Sequence, residues 1–138
     1  MNRSQKKDLL KKELVHLILS PLNITENFFH QMAKNHLEAH IDLLLCFQDN
    51  VTLFEIAKLY ECPQTVMCKV IKLEKELTNS HKGANTSYLN SIEQTITTLR
   101  KYYKECNGKV TDTQLEPISR LQKRLHEYYV GQLLLSKR

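Results

Sequence analysis

Three features of the sequence predict an all-α or nearly all-α fold. Long stretches are rich in Leu, Lys, Glu and Gln. Strand signals are weak, with three Gly, three Pro and no Asn-Gly set between alternating runs. Apolar residues recur at three- and four-residue spacing along most of the chain. At 138 residues, one domain spanning 1–138 is the default, and it can bury a core without disulfides or metal.

Residues 4–19 read as an amphipathic helix, with Leu9, Leu10, Leu14, Leu17 and Ile18 along one side and Glu13 at its edge. Ser20-Pro21 punctuates it. Thr25, followed by acidic Glu26 in the first turn, starts a second helical segment to about Asn35. Its apolar residues are Phe28, Phe29 and Met32. Segment 37–48 is dense in Leu and reads as buried on most sides, ending at Asp49-Asn50.

The stretch Val51–Leu77 organises the rest. Thr52 and Glu55 have capping-box spacing, which starts a helix at Leu53, and Val51 can staple onto it. Leu53, Ile56, Ala57 and Tyr60 follow at helical spacing. Pro63 suits the first position of the next helix, where its missing N–H costs nothing. Val66, Met67, Val70, Ile71, Leu73 and Leu77 form the apolar stripe there. Gln64, Thr65, Cys68, Lys69 and Lys72 lie on the complementary face. A short helix, a tight turn and a second helix with polar residues at its start is how a helix-turn-helix presents a recognition helix. An ordinary αα-hairpin has the same outline.

Residues 78–87 are polar, contain Gly83, and read as a loop or very short hairpin. Tyr88–Glu105 predicts a long helix carrying Leu89, Ile92, Ile96, Leu99 and Tyr103, ended by a left-handed Asn107 or Gly108. The last helix begins between Thr111 and Pro117, with Pro117 in its first turn. Ile118, Leu121, Leu125, Tyr128 or Tyr129, and Gln132 follow a/d spacing. Such terminal stripes dock on each other or on a second subunit. No internal repeat or low-complexity segment is read.

The net charge is +5, unevenly spread. Residues 1–12 hold Arg3, Lys6, Lys7, Lys11 and Lys12 against Asp8. Residues 21–62 are acidic. That polarity suits a polyanion partner. No apolar run has membrane-crossing length and no secretory leader is read, so no membrane partner and a cytoplasmic location are expected. Cys46, Cys62, Cys68 and Cys106 lack C-x-x-C spacing and are expected as free thiols. A Gly-rich phosphate loop, H-E-x-x-H and a nucleophile elbow are missing. An enzyme is the least expected class, with no catalytic residue and no cofactor assigned.

The order of elements resembles the MarR family of winged-helix regulators. LEAHIDLLLCFQDNVTLFEIA (37–57) resembles the family's apolar helix, loop and T-L-x-E-[IL]-A. TVMCKVIKLE (65–74) resembles its recognition helix, and TQLEPISRLQKRL (113–125) its closing helix. The turn after Ala57 is one residue shorter than usual, with Glu61 where Gly often sits. Residues 78–87, at the place of the wing, are about half the usual length and lack Asp and Arg. The resemblance implies a winged-helix/helix-turn-helix lobe over 37–87, a wing at 78–87, and dimerisation helices at 1–36 and 88–138. It implies a homodimer, in most cases a repressor, reading a pseudo-palindromic operator on double-stranded DNA through helix 63–77. Release would come from a small-molecule or redox effector.

The residues themselves give the same DNA-contact candidates. Gln64 can read adenine, and Lys69 and Lys72 can approach guanine or phosphate, with Thr65 and Cys68 between them. Lys82, with His81, is a further phosphate candidate. The alternative for this face is solvent exposure alone. His36 and His40 stand at i, i+4, a spacing that can share a metal ion, but no third ligand is fixed and no metal is assigned. Cys62, at a helix start beside Cys68, can have a lowered thiol pKa. Tyr60, Tyr102, Tyr103, Tyr128 and Tyr129 are expected at helix contacts. A helical module that keeps the fold and binds another regulator is the alternative function, motivated by the short wing.

Overall fold

The structure is a computed structural model and describes residues 2–79 and 86–137. In chain order its elements are α1 (Arg3–Leu19), α2 (Asn27–Leu45), α3 (Leu53–Glu61), α4 (Pro63–Asn79), α5 (Thr86–Tyr102), β1 (Tyr103–Cys106), β2 (Lys109–Asp112) and α6 (Ser119–Ser136). The described chain is thus mostly helical with a small two-stranded sheet. No described helix is long and apolar enough to cross a membrane. The chain divides into two units, residues 1–61 with 114–138, and residues 62–113.

In the first unit, α1 packs on α2, α2 on α3, and α3 on α6. Asn2 and Gln5 start α1 with a reciprocal capping box, at 2.8 and 2.9 Å. The buried side of α1 is Leu14, Val15, Ile18 and Leu19, whereas Leu9 and Leu17 are exposed. The stripe is therefore rotated from the expected one. Lys7 and Lys11 continue the α2 seam, donating to the Leu45 carbonyl (2.7 Å) and to Asp42 (3.0 Å). Both lysine side chains are part-buried, at 26% and 21% exposed.

The two segments expected at 25–35 and 37–48 are one helix, α2, because no Gly or Pro separates them. It starts at Asn27 after an extended Glu26, so Thr25 is not its cap. Pro117 likewise stands before α6 instead of inside it, with Ile118 as the flanking residue. The α3–α6 seam buries Ile56, Ala57, Leu121 and Leu125. Each large apolar side chain there contributes roughly 2 kcal/mol. Phe54 stacks on Tyr129 with ring centroids 5.6 Å apart, and Glu61 meets His126 at 2.7 Å.

In the second unit, α4 packs on α5, and the β1–β2 hairpin follows α5 directly. The helix expected to reach Glu105 stops at Tyr102, and Asn107-Gly108 is a hairpin turn, not a helix cap. Both residues have positive φ, 54° and 77°, as a two-residue type I′ turn requires. The register pairs Tyr103 with Asp112, Lys104 with Thr111, Glu105 with Val110, and Cys106 with Lys109. Tyr103, Val110 and Asp112 are buried, so this face is the inward one. Lys104, Thr111, Cys106 and Lys109 make the outward face. Thr113 closes the hairpin base, its amide donating to the Tyr102 carbonyl at 2.7 Å.

Candidate nucleic-acid interface

The capping box at the centre of the sequence is formed. The Glu55 amide donates to Thr52 Oγ1 at 3.2 Å, and the Thr52 amide donates to Glu55 Oε1 at 3.0 Å. Gln48 also donates to the Glu55 carboxylate, and Val51 is buried. These contacts fix where α3 starts. After Glu61 a single residue, Cys62, precedes Pro63, which takes the first position of α4.

Within α4, Val66, Met67, Val70 and Leu73 are buried. Gln64, Thr65, Cys68 and Lys72 are exposed together, as expected for a contact row. Lys69 is half-buried and engaged within the chain. Lys82 lies outside the described residues, as does His81. Helical spacing adds Lys75, which is exposed on the row of Gln64 and Cys68 and was not among the sequence candidates. Ile71, expected in the apolar stripe, is 39% exposed and borders the same row.

The Cys62 thiol is exposed and held below its ordinary pKa. The hydroxyl of Thr65 does most of this, followed by the Thr65 backbone amide. A thiolate at a helix start is stabilised by such donors.

The unit carries a second exposed polar row, on α5. Asn90, Gln94, Thr97 and Lys101 are exposed at spacings of four, three and four. They lie opposite Ile92, Thr95, Ile96 and Leu99, which are buried. A signal for this row was present in the sequence. Ser91-Ile92, Ile96 and Leu99-Arg100-Lys101 repeat the spacing of Thr65-Val66, Val70 and Leu73-Glu74-Lys75. The two packed helices thus share one apolar pattern. Arg100 Nε donates to Glu74 Oε2 at 3.2 Å and Arg100 Nη2 to Glu74 Oε1, so one equivalent position of the two helices forms an ion pair between them.

His36 and His40 are buried. Their rings stack with centroids 4.4 Å apart. The Tyr60 hydroxyl lies 2.7 Å from His36 Nδ1, and His40 Nδ1 donates to the His36 carbonyl at 2.6 Å. Burial, then the neighbouring His36, keeps the His40 pKa well below that of an ordinary imidazole. Tyr60 therefore does sit at a helix contact, bridging α3 to α2 through this pair.

Between α1 and α2 an open groove of about 510 Å³ is lined by Lys12, His16, His30, Lys34 and Glu38, with Val15, Leu19 and Ser20. Its lining thus mixes cationic, acidic and aliphatic side chains.

No protein-family model matches the chain, and neither a curated protein nor a solved structure matches it.

Proposed function

We propose that the protein is a sequence-specific DNA-binding transcriptional regulator of winged-helix type, acting as a dimeric repressor. The observation that carries this reading is the α4 row. Gln64, Thr65, Cys68 and Lys72 are solvent-exposed on one side of a helix whose opposite side is buried. That arrangement offers hydrogen-bonding and cationic groups to a duplex. Exposed apolar residues on α1 and α6, with Leu17 58%, Leu134 62% and Leu135 56% exposed, support pairing of two copies through the terminal helices. The groove between α1 and α2 has room for a small-molecule effector, and the Cys62 thiol suits a redox one.

The test is selection from a randomised duplex library at moderate salt. Enrichment of an inverted repeat with half-sites about one helical turn apart supports the two-fold dimer. A single half-site refutes the dimer while keeping DNA binding. Absence of binding even at low salt refutes the reading.

A second reading keeps the fold but binds another protein. The exposure of Phe28 (68%) beside Phe29 (40%) favours it, since aromatic residues are enriched in protein–protein interfaces. A stable complex with a protein partner, without duplex binding, would decide for it.

A further inference from the structure

We propose that α5, not α4, is the helix that reads base edges, and that the β1–β2 hairpin grips the adjacent backbone. The inference rests on the DNA-binding reading above and locates the sequence-reading surface within it.

The first argument is topological. In a helix-turn-helix the second helix enters the major groove while the first crosses the backbone. In residues 62–113 the packed pair is α4 and α5, and α5 is second. The hairpin follows α5 without an intervening residue, so a two-stranded ribbon stands at the end of the helix. Its I′ turn at Asn107-Gly108 gives it a defined tip.

The second argument is chemical. Asn90 and Gln94 carry the amides that pair bidentately with adenine. The Thr97 methyl can meet the thymine methyl, and Lys101 can reach guanine or phosphate. Thr97 already donates its hydroxyl to the Glu93 carbonyl at 2.9 Å, which fixes its rotamer. No acidic residue interrupts these four positions; Glu93 stands at the edge, beside Arg100. The α4 row is poorer. It is bordered by exposed Ile71 and Glu76, and Lys69 is half-buried and engaged.

The third argument concerns position. The Arg100–Glu74 pair ties the C-terminal half of α5 to α4, and the Thr113–Tyr102 bond ties off the hairpin base. The outward hairpin face then presents both Lys104 and Lys109, exposed cations of the kind that contact phosphates. In this arrangement Lys72 and Lys75 of α4 lie along the backbone.

The experiment uses the full chain and the duplex selected from the random library, with single-base variants of that duplex, read by fluorescence anisotropy. Asn90→Ala with Gln94→Ala is expected to weaken the selected site about tenfold or more and to flatten discrimination against the variant duplexes. Lys104→Gln with Lys109→Gln is expected to weaken all duplexes alike and reduce the salt slope by about 2. Gln64→Ala with Lys72→Ala is expected to weaken binding without changing discrimination. Gln94→Arg supplies a gain that misfolding cannot imitate, a shift of preference from adenine to guanine at one position. Unchanged discrimination in the α5 variants, with loss of discrimination in Gln64→Ala, would overturn the inference and leave the DNA-binding function standing. A wild-type chain that binds no duplex at low salt would overturn both.

Discussion

Arg100 on α5 meets Glu74 on α4 through two hydrogen bonds, one to each carboxylate oxygen, with side chains 45% and 38% exposed. The paired geometry is stronger than a single contact, but solvent screens it. A double-mutant cycle with Arg100→Met and Glu74→Gln is therefore expected to give a coupling of about 0.5 kcal/mol that shrinks as salt is raised. A coupling above about 2 kcal/mol, insensitive to salt, would show that the pair is held by something other than its own charges.

Gly108 holds φ at +77°, a conformation that costs an L side chain about 1 kcal/mol or more. A Cβ at this position would meet nothing within 4 Å, so the cost is in the backbone alone. Gly108→Ala should lower the unfolding free energy by that amount, seen as a lower urea midpoint with an unchanged slope. It should also weaken duplex binding if the hairpin grips the backbone. A substitution that leaves stability unchanged would mean that the turn does not keep its I′ geometry in solution.

The sequence made the helical class legible because burial on a helix face leaves a 3.6-residue trace. Thr52, Glu55 and Pro63 announced the ends of α3 and α4 through capping chemistry that is local. Elsewhere the decisive contacts were distant. Leu9 and Leu17 fit an apolar stripe as well as Val15 and Leu19 do, and only the α2 seam chose between them. Asn107-Gly108 serves equally as a helix end or a hairpin turn, and Tyr-Lys-Glu-Cys before it does not alternate in polarity. The inward face of the hairpin is instead specified by Tyr103, Val110 and Asp112 meeting across two strands. Burial, and then the Asp112 carboxylate, raises the Tyr103 phenol far above its ordinary pKa, so it stays protonated as a donor to that carboxylate. The α4 candidates were legible as an exposed row. The α5 row was masked by its Thr residues, which lower helix propensity.

His40 links stability to pH. Its folded pKa lies well below the ordinary 6.5, chiefly through burial. Below about pH 6.5 the unfolded chain takes up this proton and the folded chain does not. Stability from this group is therefore fully present above that value and is lost as pH falls toward the folded pKa. The slope approaches about 1.4 kcal/mol per pH unit. Asp42 works the other way at lower pH, since burial raises its pKa and protonation favours the folded state. Urea unfolding between pH 7.5 and 5 should show the decline in wild type, and His40→Gln should flatten it. An equal decline in both proteins would assign the effect to other groups.

Thr65 and Cys62 give the last prediction. The Thr65 hydroxyl and then its amide hold the Cys62 thiol below its ordinary pKa of 9.0. The thiolate is the form that reacts with alkylating agents and oxidants. Thr65→Val removes the hydroxyl while keeping shape and the backbone amide. The pH midpoint for alkylation at Cys62, followed by peptide mass spectrometry, should therefore move upward and the rate at pH 8 should fall. Cys106, on the outward face of the hairpin, serves as the internal standard in the same digest. An unmoved Cys62 profile would show that the helix-start amides alone set its reactivity. Thr65 would then remain only a surface contact, and a redox effector acting at this turn would lose its chemical basis.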